Sequence, residues 1–212
     1  MKKEYKDRWY NGWFYDLFIA PNQDRLFGQI KNLIESNSKV IDVGCGTGRF
    51  SFSTADKFKS ILGIDLSKRN VDRSNQKLKR NPNAKISFQH KSVSEIISEG
   101  EEHYDYAVIT YVIHEINENK RGKLLSEVAQ VADKIIIGDY IVPKPKGFMS
   151  LLNEIVEYAA GKDHYRNFKS YINKDGIQGL VRESGFKILN ELKNNPSTSH
   201  IMVLKKVEQN EN

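Results

Sequence analysis

The sequence predicts an α/β fold in which helices cover both faces of a mostly parallel sheet. From Lys39 onward, strand-like and helix-like segments alternate along the chain, and this order is typical of βαβ units. Several of the strand-like segments are nearly continuous apolar runs, as expected for parallel strands that are buried on both faces. A length of 212 residues fits one domain with a sizeable core. We therefore predict a single domain over residues 1–212.

Five short runs are the predicted parallel strands, four of them largely apolar and one, residues 86–90, alternating between apolar and polar side chains. They cover residues 40–43, 61–65, 86–90, 106–110 and 135–138. Between them, residues 70–80 form a polar amphipathic segment, and residues 124–131 carry apolar side chains at a spacing of three to four. That spacing predicts helices that cover the sheet.

The C-terminal part of the chain follows a different pattern. Residues 175–184 predict a helix, and Gly185 stands where a C-cap glycine belongs. Two strand-like runs follow at residues 186–192 and 200–206, separated only by residues 194–199. That connection is too short for a crossover helix, so we expect the two strands to pair antiparallel as a hairpin.

Two further segments do not fit the alternation of strands and helices. Residues 1–20 hold seven aromatic side chains, including both tryptophans of the chain. Residues 143–173 open with two prolines, continue as a helix near residues 149–160, and end in a polar and aromatic run at residues 163–168. We predict that both segments form a helical lid over the carboxyl ends of the strands.

Composition limits the classes of function. No apolar run approaches the ~20 residues that cross a bilayer, and no apolar stretch follows the basic N-terminus, so we expect a cytoplasmic protein without a membrane span. The net charge of +6 can indicate nucleic-acid binding. The densest basic cluster, within residues 68–80, instead suits a solvated outer helix. The single cysteine, Cys45, excludes an internal disulfide and a cysteine-rich zinc site, and a small buried residue is favoured over a catalytic thiol.

The first strand runs directly into a glycine-rich turn containing Gly44, Gly46 and Gly48. Glycine lets the backbone turn sharply and approach a ligand closely, and the first strand-to-helix junction is the usual nucleotide crevice of such sheets. Asp42, two residues before the turn, can orient it and accept from a ligand ammonium group. Asp65 closes the second strand, 21 residues after Gly44, where an acid can accept from ribose hydroxyls. The alternative role for Asp65 is a helix N-cap.

These motifs resemble those of the class I S-adenosylmethionine (SAM)-dependent methyltransferases. Residues 40–48 resemble their first motif and residues 61–67 their second, while residues 104–116 and 135–140 are similar to their fourth and fifth strand regions. The resemblance covers residues 39–206 in order. It implies a Rossmann-like sheet of seven strands, mostly parallel with an antiparallel last strand, flanked by helices.

The resemblance implies SAM as the cofactor and S-adenosylhomocysteine as the product. It places Asp42, Gly44 and Gly46 along the methionine part of SAM, and Asp65 at the ribose. The other predicted cofactor contacts are Cys45, Gly48, Leu66, Ser92, Val93 and Thr110. Ser92 stands where many members have an acid for the adenine amino group, and a hydroxyl accepts that hydrogen bond more weakly. NAD is disfavoured because Arg49 and Phe50 follow Gly48, which breaks the G-x-G-x-x-G spacing.

The methyl acceptor is predicted from the region after the fourth strand. No Asn/Asp-Pro-Pro-Tyr/Phe motif for exocyclic amines follows that strand, and residues 112–116, Val-Ile-His-Glu-Ile, resemble the small-molecule branch of the family. We therefore expect a small-molecule acceptor and regard nucleic acid as an unlikely partner. An RNA methyltransferase and a SAM-binding protein without catalysis remain as alternatives.

Candidate residues around the acceptor come from the same regions. The predicted catalytic residues are His114, Asp139 and His164, with His114 either a base or a histidine with local hydrogen bonds. The predicted substrate contacts are Trp9, Tyr10, Trp13, Tyr165 and Arg166. A solvated loop is the alternative for residues 164–166. Glu115 and Asp139 are the carboxylates near the fourth and fifth strands, but nothing in the sequence pairs them, so no metal site is predicted.

Overall fold

A computed structural model describes residues 20–100, 103–193 and 198–207 of the chain. Seven strands form one sheet in the order β3-β2-β1-β4-β5-β7-β6. The strands are β1 (Lys39–Val43), β2 (Ser60–Ile64), β3 (Ile86–Gln89), β4 (Tyr104–Thr110), β5 (Ala132–Tyr140), β6 (Phe186–Lys193) and β7 (Ser199–Lys206). Strands β1 to β5 run parallel, and β7 lies antiparallel between β5 and β6. The predicted parallel sheet and terminal hairpin are both confirmed.

Eight helices accompany the sheet in the described part of the chain. They are α1 (Ala20–Leu33), α2 (Arg49–Thr54), α3 (Lys68–Arg80), α4 (Val93–Glu99), α5 (Glu118–Val131), α6 (Phe148–Ala159), α7 (Lys162–Asn173) and α8 (Gly176–Ser184). Helix α3 starts two residues earlier than predicted because the Ser67 hydroxyl caps it, accepting from the Asn70 N–H. Gly185 ends α8 in the left-handed conformation, as expected for a C-cap glycine.

Both faces of the sheet are buried. On one face Ile41, Ile109 and Ile135 pack with α4, α5 and α8, and on the other Val40 and Ile136 pack with α1 and α2. Alternate residues of each strand point to opposite faces, so continuous apolar runs were needed to fill both cores. Strand order reverses between β1 and β4, which opens a crevice at their carboxyl ends.

The insertion at residues 143–173 consists of the two helices α6 and α7. Residues 164–166, for which a solvated loop was the alternative, lie within α7, and α7 packs on a 3-10 turn at Ile113–Glu115 that follows β4. The other predicted lid segment, residues 1–20, lies outside the described residues apart from Ala20, and so do the substrate candidates Trp9, Tyr10 and Trp13. Among the residues described, no helix combines the length and apolar content of a membrane span.

Candidate cofactor and acceptor site

The glycine-rich turn is held against β2. The backbone N–H groups of Gly44 and Cys45 donate to the Ile64 carbonyl oxygen at 2.8 and 3.0 Å. Gly44 has a φ of 75°, and a Cβ added there would lie 2.5 Å from Cγ2 of Val112. Gly44 is therefore required both by its left-handed conformation and by the close approach of the segment after β4.

Gly46 leaves space beside the turn. Its φ is 55°, and a Cβ added there would meet no heavy atom within 4 Å. Its N–H donates to Asp65 Oδ2 at 2.8 Å, while Asp65 Oδ1 accepts from the Ser67 N–H at 2.7 Å. Ser67 rather than Asp65 is the N-cap of α3. Asp65 thus connects the turn to the end of β2, next to space that a ligand can enter.

Asp42 is the buried carboxylate behind the turn. Its Oδ2 accepts from the Ser51 hydroxyl at 2.7 Å, whereas its Oδ1 is buried without a hydrogen-bond partner among the described residues. Burial, assisted by the negative charge of Asp65, raises the pKa of Asp42 to about 7. An unsatisfied buried carboxylate oxygen is costly, and a ligand ammonium group such as that of SAM would satisfy it. The residues of the turn therefore fit the methionine end of this cofactor.

The remaining predicted cofactor contacts lie in different environments, some exposed and some buried. Leu66 has an exposed apolar side chain (75% of its surface) directly after Asp65, and Cys45 is buried beside Gly63. Burial raises the pKa of the Cys45 thiol, which supports a packing role over a nucleophilic one. Gly48 begins α2 with a φ of 77°, and Thr110 ends β4.

Ser92 is engaged in a capping box that sequence reasoning did not anticipate. It is the N-cap of α4, whose first residue is Val93, and its hydroxyl accepts from the Glu95 N–H at 3.2 Å and donates to Glu95 Oε2 at 2.7 Å. Glu95 also accepts from the Ser92 N–H. The role of Ser92 at the adenine remains a prediction, in competition with this structural role.

A second polar group lies at the carboxyl ends of β4 and β5. His114, in the 3-10 turn, is 2% exposed, and its Nδ1–H donates to Asp139 Oδ1 at 2.6 Å. Asp139 also accepts from the backbone N–H groups of His114 and Tyr140. His114 and Asp139, predicted separately as catalytic, are thus brought together as a buried pair.

The insertion adds two partners to this pair. His114 Nε2 lies 3.5 Å from Oε1 of Glu157, a buried residue of α6, and His164 of α7 contacts the other oxygen of Glu157. The Tyr140 hydroxyl donates to Glu157 at 2.8 Å. Burial by itself lowers the pKa of His114, but the nearby carboxylates of Asp139 and Glu157 outweigh it and raise that pKa well above its usual range.

Glu157 is the functional candidate that sequence reasoning missed. Burial raises its pKa, but the two histidines outweigh that effect and hold it below its usual range, so Glu157 is an anion. In sequence it is one glutamate in an amphipathic helix, and it lies on a buried face that also carries Ser150 and Asn153, so no apolar pattern marked it. Glu157 joins the two histidines into one cluster.

Arg121 of α5 holds the insertion in place. Its guanidinium donates to the carbonyl oxygens of Ile113 and Ile116 in the turn, and to that of Asn167 in α7 at 2.7 Å. The Asn167 amide in turn donates to the Glu115 carbonyl oxygen at 2.7 Å. These bonds fix the register of α7 on the turn and thereby the position of His164.

The two predicted substrate residues of α7 lie at the edge of this cluster. The Tyr165 hydroxyl donates to Glu154 at 2.9 Å, and its ring packs near those of Tyr158 and Phe168. Arg166 is mostly exposed and forms an ion pair with Asp163 at 3.2 Å. Arg166 therefore points to solvent beside Asp163, away from the buried cluster.

Comparisons with known proteins agree with the motifs. Residues 40–134 match a family model described as a methyltransferase domain. A probable S-adenosylmethionine-dependent methyltransferase of Saccharomyces cerevisiae is 25% identical over 154 residues, which cover 72% of this chain and 52% of that protein. An O-antigen chain terminator bifunctional methyltransferase/kinase of Escherichia coli is 34% identical over 105 residues, covering 46% of this chain and 14% of that protein. The chain thus spans about half the length of the first relative and a small part of the second.

Other matches extend the range of chemistries. A tRNA/tmRNA (uracil-C(5))-methyltransferase of Campylobacter curvus is 26% identical over 84 residues, which cover 38% of this chain and 23% of that protein. Among solved structures, the magnesium protoporphyrin IX methyltransferase of Synechocystis with bound SAM superposes with a TM-score of 0.64 at 16% identity, covering 95% of this chain and 90% of the other. Motifs, strand order and the family-model match agree: residues 40–134 carry the methyltransferase-domain match, and the chain is similar to the class I SAM-dependent methyltransferases.

Proposed function

We propose that the chain transfers the methyl group of SAM to a small-molecule acceptor held between the glycine-rich turn and the α6–α7 insertion. The observation that carries this proposal is the buried cluster of His114, Asp139, Glu157 and His164 under the insertion. The segment that carries the cluster lies against the turn, because the side chain of Val112, two residues before His114, approaches Gly44. Cofactor and acceptor would meet at this junction.

The chain's own residues would bind, align and enclose the reactants. SAM carries the reactive methyl group, and the protein aligns it with the acceptor and excludes water. Asp42 would accept from the ammonium group and Asp65 from the ribose hydroxyls. His114, fixed through Nδ1 by Asp139, would face the acceptor with Nε2, and both of its predicted roles, as a base and as a histidine with local hydrogen bonds, stay open.

The outer face of α6 supports a lid. Its exposed side chains recur at a spacing of three to four residues and form one apolar stripe, composed of Phe148, Leu151, Ile155 and Tyr158. Apolar stripes of this kind usually have a partner. We infer that the aromatic side chains of residues 1–18 cover this stripe and close the acceptor site. The alternative is that the same packing is purely structural.

The charges of the insertion favour a small molecule over RNA. Of the five cations of residues 143–173, Lys144 and Lys169 pair with Glu154, and Arg166 pairs with Asp163. The other two, at positions 146 and 162, are too few for a basic stripe of the kind that tracks a phosphate backbone. The basic side chains within residues 68–80 lie on α3, a helix on the outside of the sheet. The Synechocystis structural neighbour is a methyltransferase of magnesium protoporphyrin IX, which is likewise a small molecule.

The test is a screen of acceptor metabolites and bulk RNA, with release of S-adenosylhomocysteine as the readout, on the full chain and on a chain without residues 1–18. We expect the truncated chain to keep SAM binding, because its cofactor residues follow Lys39, and to lose methyl transfer. The double variant Leu151→Ser/Ile155→Ser should behave like the truncation. Ile188→Ser, which changes a similarly exposed side chain on β6, is the matched control and should stay active.

Three outcomes would contradict this proposal. Normal turnover by the truncated chain would show that residues 1–18 are not needed as a lid. Faster methylation of bulk RNA than of any metabolite would favour the RNA alternative. SAM binding without product release from any acceptor would favour a SAM-binding protein without catalysis.

A further inference from the structure

We propose that His114, Glu115, Glu157 and His164 bind one divalent transition-metal ion beneath the α6–α7 insertion. From the sequence, only Glu115 and Asp139 came into question as carboxylate ligands, and no site was predicted. The structure adds Glu157 and His164, which lie 43 and 50 residues beyond His114 and reach the same place because α7 packs on the 3-10 turn.

The ligand atoms of His114, Glu115 and His164 converge, and Glu157 contacts both histidines. His114 Nε2 lies 3.5 Å from Glu157 Oε1, His164 Nε2 lies 3.9 Å from Glu115 Oε1, and His164 contacts Glu157 Oε2 directly. One ligand atom from each of His114, Glu115 and His164 lies within 4.8 Å of the other two. Around an ion with bonds of about 2.1 Å, neighbouring ligand atoms stand roughly 3–3.5 Å apart, so side-chain movements of about an ångström would complete the coordination.

Asp139 orients the first ligand. Metal-binding histidines usually donate their other ring N–H to a carboxylate or carbonyl oxygen, which fixes the ring and the tautomer. His114 does so through Nδ1, at 2.6 Å from Asp139 Oδ1. Its Nε2 is thereby aimed at Glu157 and His164. This arrangement is the one that a metal ligand needs.

Charge and access also favour a cation. The carboxylates of Glu115, Glu157 and Asp139 meet around two imidazoles in a largely buried space. The side chain of Glu115 is 45% exposed, whereas those of Glu157 and His164 are 5% and 10% exposed. Glu115 therefore marks the side from which an ion can enter and at which a coordination position can stay open.

The donor set selects the class of metal. Two imidazole nitrogens with two carboxylates suit Zn²⁺, Mn²⁺, Fe²⁺ and related ions, whereas Mg²⁺ prefers an all-oxygen environment. The described residues place no thiolate in this cluster, since Cys45 belongs to the glycine-rich turn. Metal binding here depends on side chains outside that turn and can be measured without SAM or an acceptor, so it stands or falls separately from methyl transfer.

The experiment titrates the full chain, freed of metal with a chelator and desalted, with Zn²⁺ in a calorimeter and with Co²⁺ by visible absorption. We expect one equivalent to bind, and the Co²⁺ bands to persist in millimolar Mg²⁺. His164→Ala and Glu115→Gln should each weaken Zn²⁺ binding about 10- to 100-fold or more. His103→Ala is the matched control, because His103 is exposed beside Asp133, and it should bind like the wild type.

The folded state of each variant is checked by circular dichroism and thermal unfolding, so that a lost site is not confused with a lost fold. Absence of stoichiometric binding by the folded wild type would overturn the proposal. So would unchanged affinity in both ligand variants, an equal loss in His103→Ala, or displacement of Co²⁺ by Mg²⁺.

Discussion

Asp42 makes SAM binding dependent on pH in a way that can be calculated. Its pKa is raised to about 7 by burial and by the charge of Asp65, and a SAM ammonium group would interact with the ionised form. With that pKa, about a tenth of the carboxyl groups are ionised at pH 6 and about three quarters at pH 7.5. We therefore expect the affinity for SAM to rise about eightfold between these two pH values.

The measurement is isothermal titration calorimetry with SAM at constant ionic strength. Asp42→Asn removes the titrating group but keeps an acceptor for the Ser51 hydroxyl, so this variant should bind more weakly and with little dependence on pH. The titratable neighbours of Asp42 are Asp65 and Cys45. Burial keeps the Cys45 thiol neutral in this range, and Asp65→Asn should retain a rise in affinity with pH. A flat profile in the wild type, or an equal slope in Asp42→Asn, would refute the reasoning.

The same pKa shift has a consequence for stability without ligand. Because the folded state holds the proton of Asp42 more tightly than the unfolded state does, the folded state binds more protons between about pH 4 and pH 7. The contribution of Asp42 to stability is therefore fully present at the acid end of this window and decreases as pH rises through 7. In Asp42→Asn that part of the pH dependence of thermal unfolding should be absent.

Two further substitutions test the cofactor site. Asp65→Ala should weaken SAM binding by about 1.5–3 kcal/mol, because charge-assisted hydrogen bonds to the ribose are lost. Calorimetry shows this effect, and thermal unfolding controls for the lost bond to the Gly46 N–H. Unchanged SAM affinity in Asp65→Ala would show that Asp65 does not contact the cofactor. Tight binding of NAD by the wild type would contradict the cofactor assignment itself. Ser92→Asp should leave SAM affinity equal or improved, because aspartate is an equally good N-cap for α4 and a stronger acceptor for the adenine amino group. Ser92→Ala, as its control, should lose about 1 kcal/mol of stability through the cap, and a large loss of affinity in Ser92→Asp would show that the adenine lies elsewhere.

The sheet and the cofactor turn could be predicted from the sequence because their signals are local. Apolar runs such as residues 135–138 indicate a strand buried on both faces, whatever lies around it. The glycines at 44, 46 and 48 are needed by backbone conformations that the turn itself imposes, and all three have positive φ. The order of these signals along the chain was enough to predict the parallel strands, the terminal hairpin and the position of Asp65 at the end of β2.

The side chains at the acceptor site were brought together only by the tertiary structure. His114, Asp139 and His164 were each predicted singly, but no periodicity relates residues that are 25 to 50 positions apart. Their meeting depends on Arg121 and Asn167, which hold α7 on the 3-10 turn, and on Glu157, which resembles any other glutamate of an amphipathic helix until it is buried. Ser92 shows the same limit, because its hydroxyl is committed to α4 by Glu95. Local sequence determines which segments can be strands, turns and helices. The pairing of buried charges is decided by long-range packing, because a buried charge is stable only beside a partner that another segment supplies.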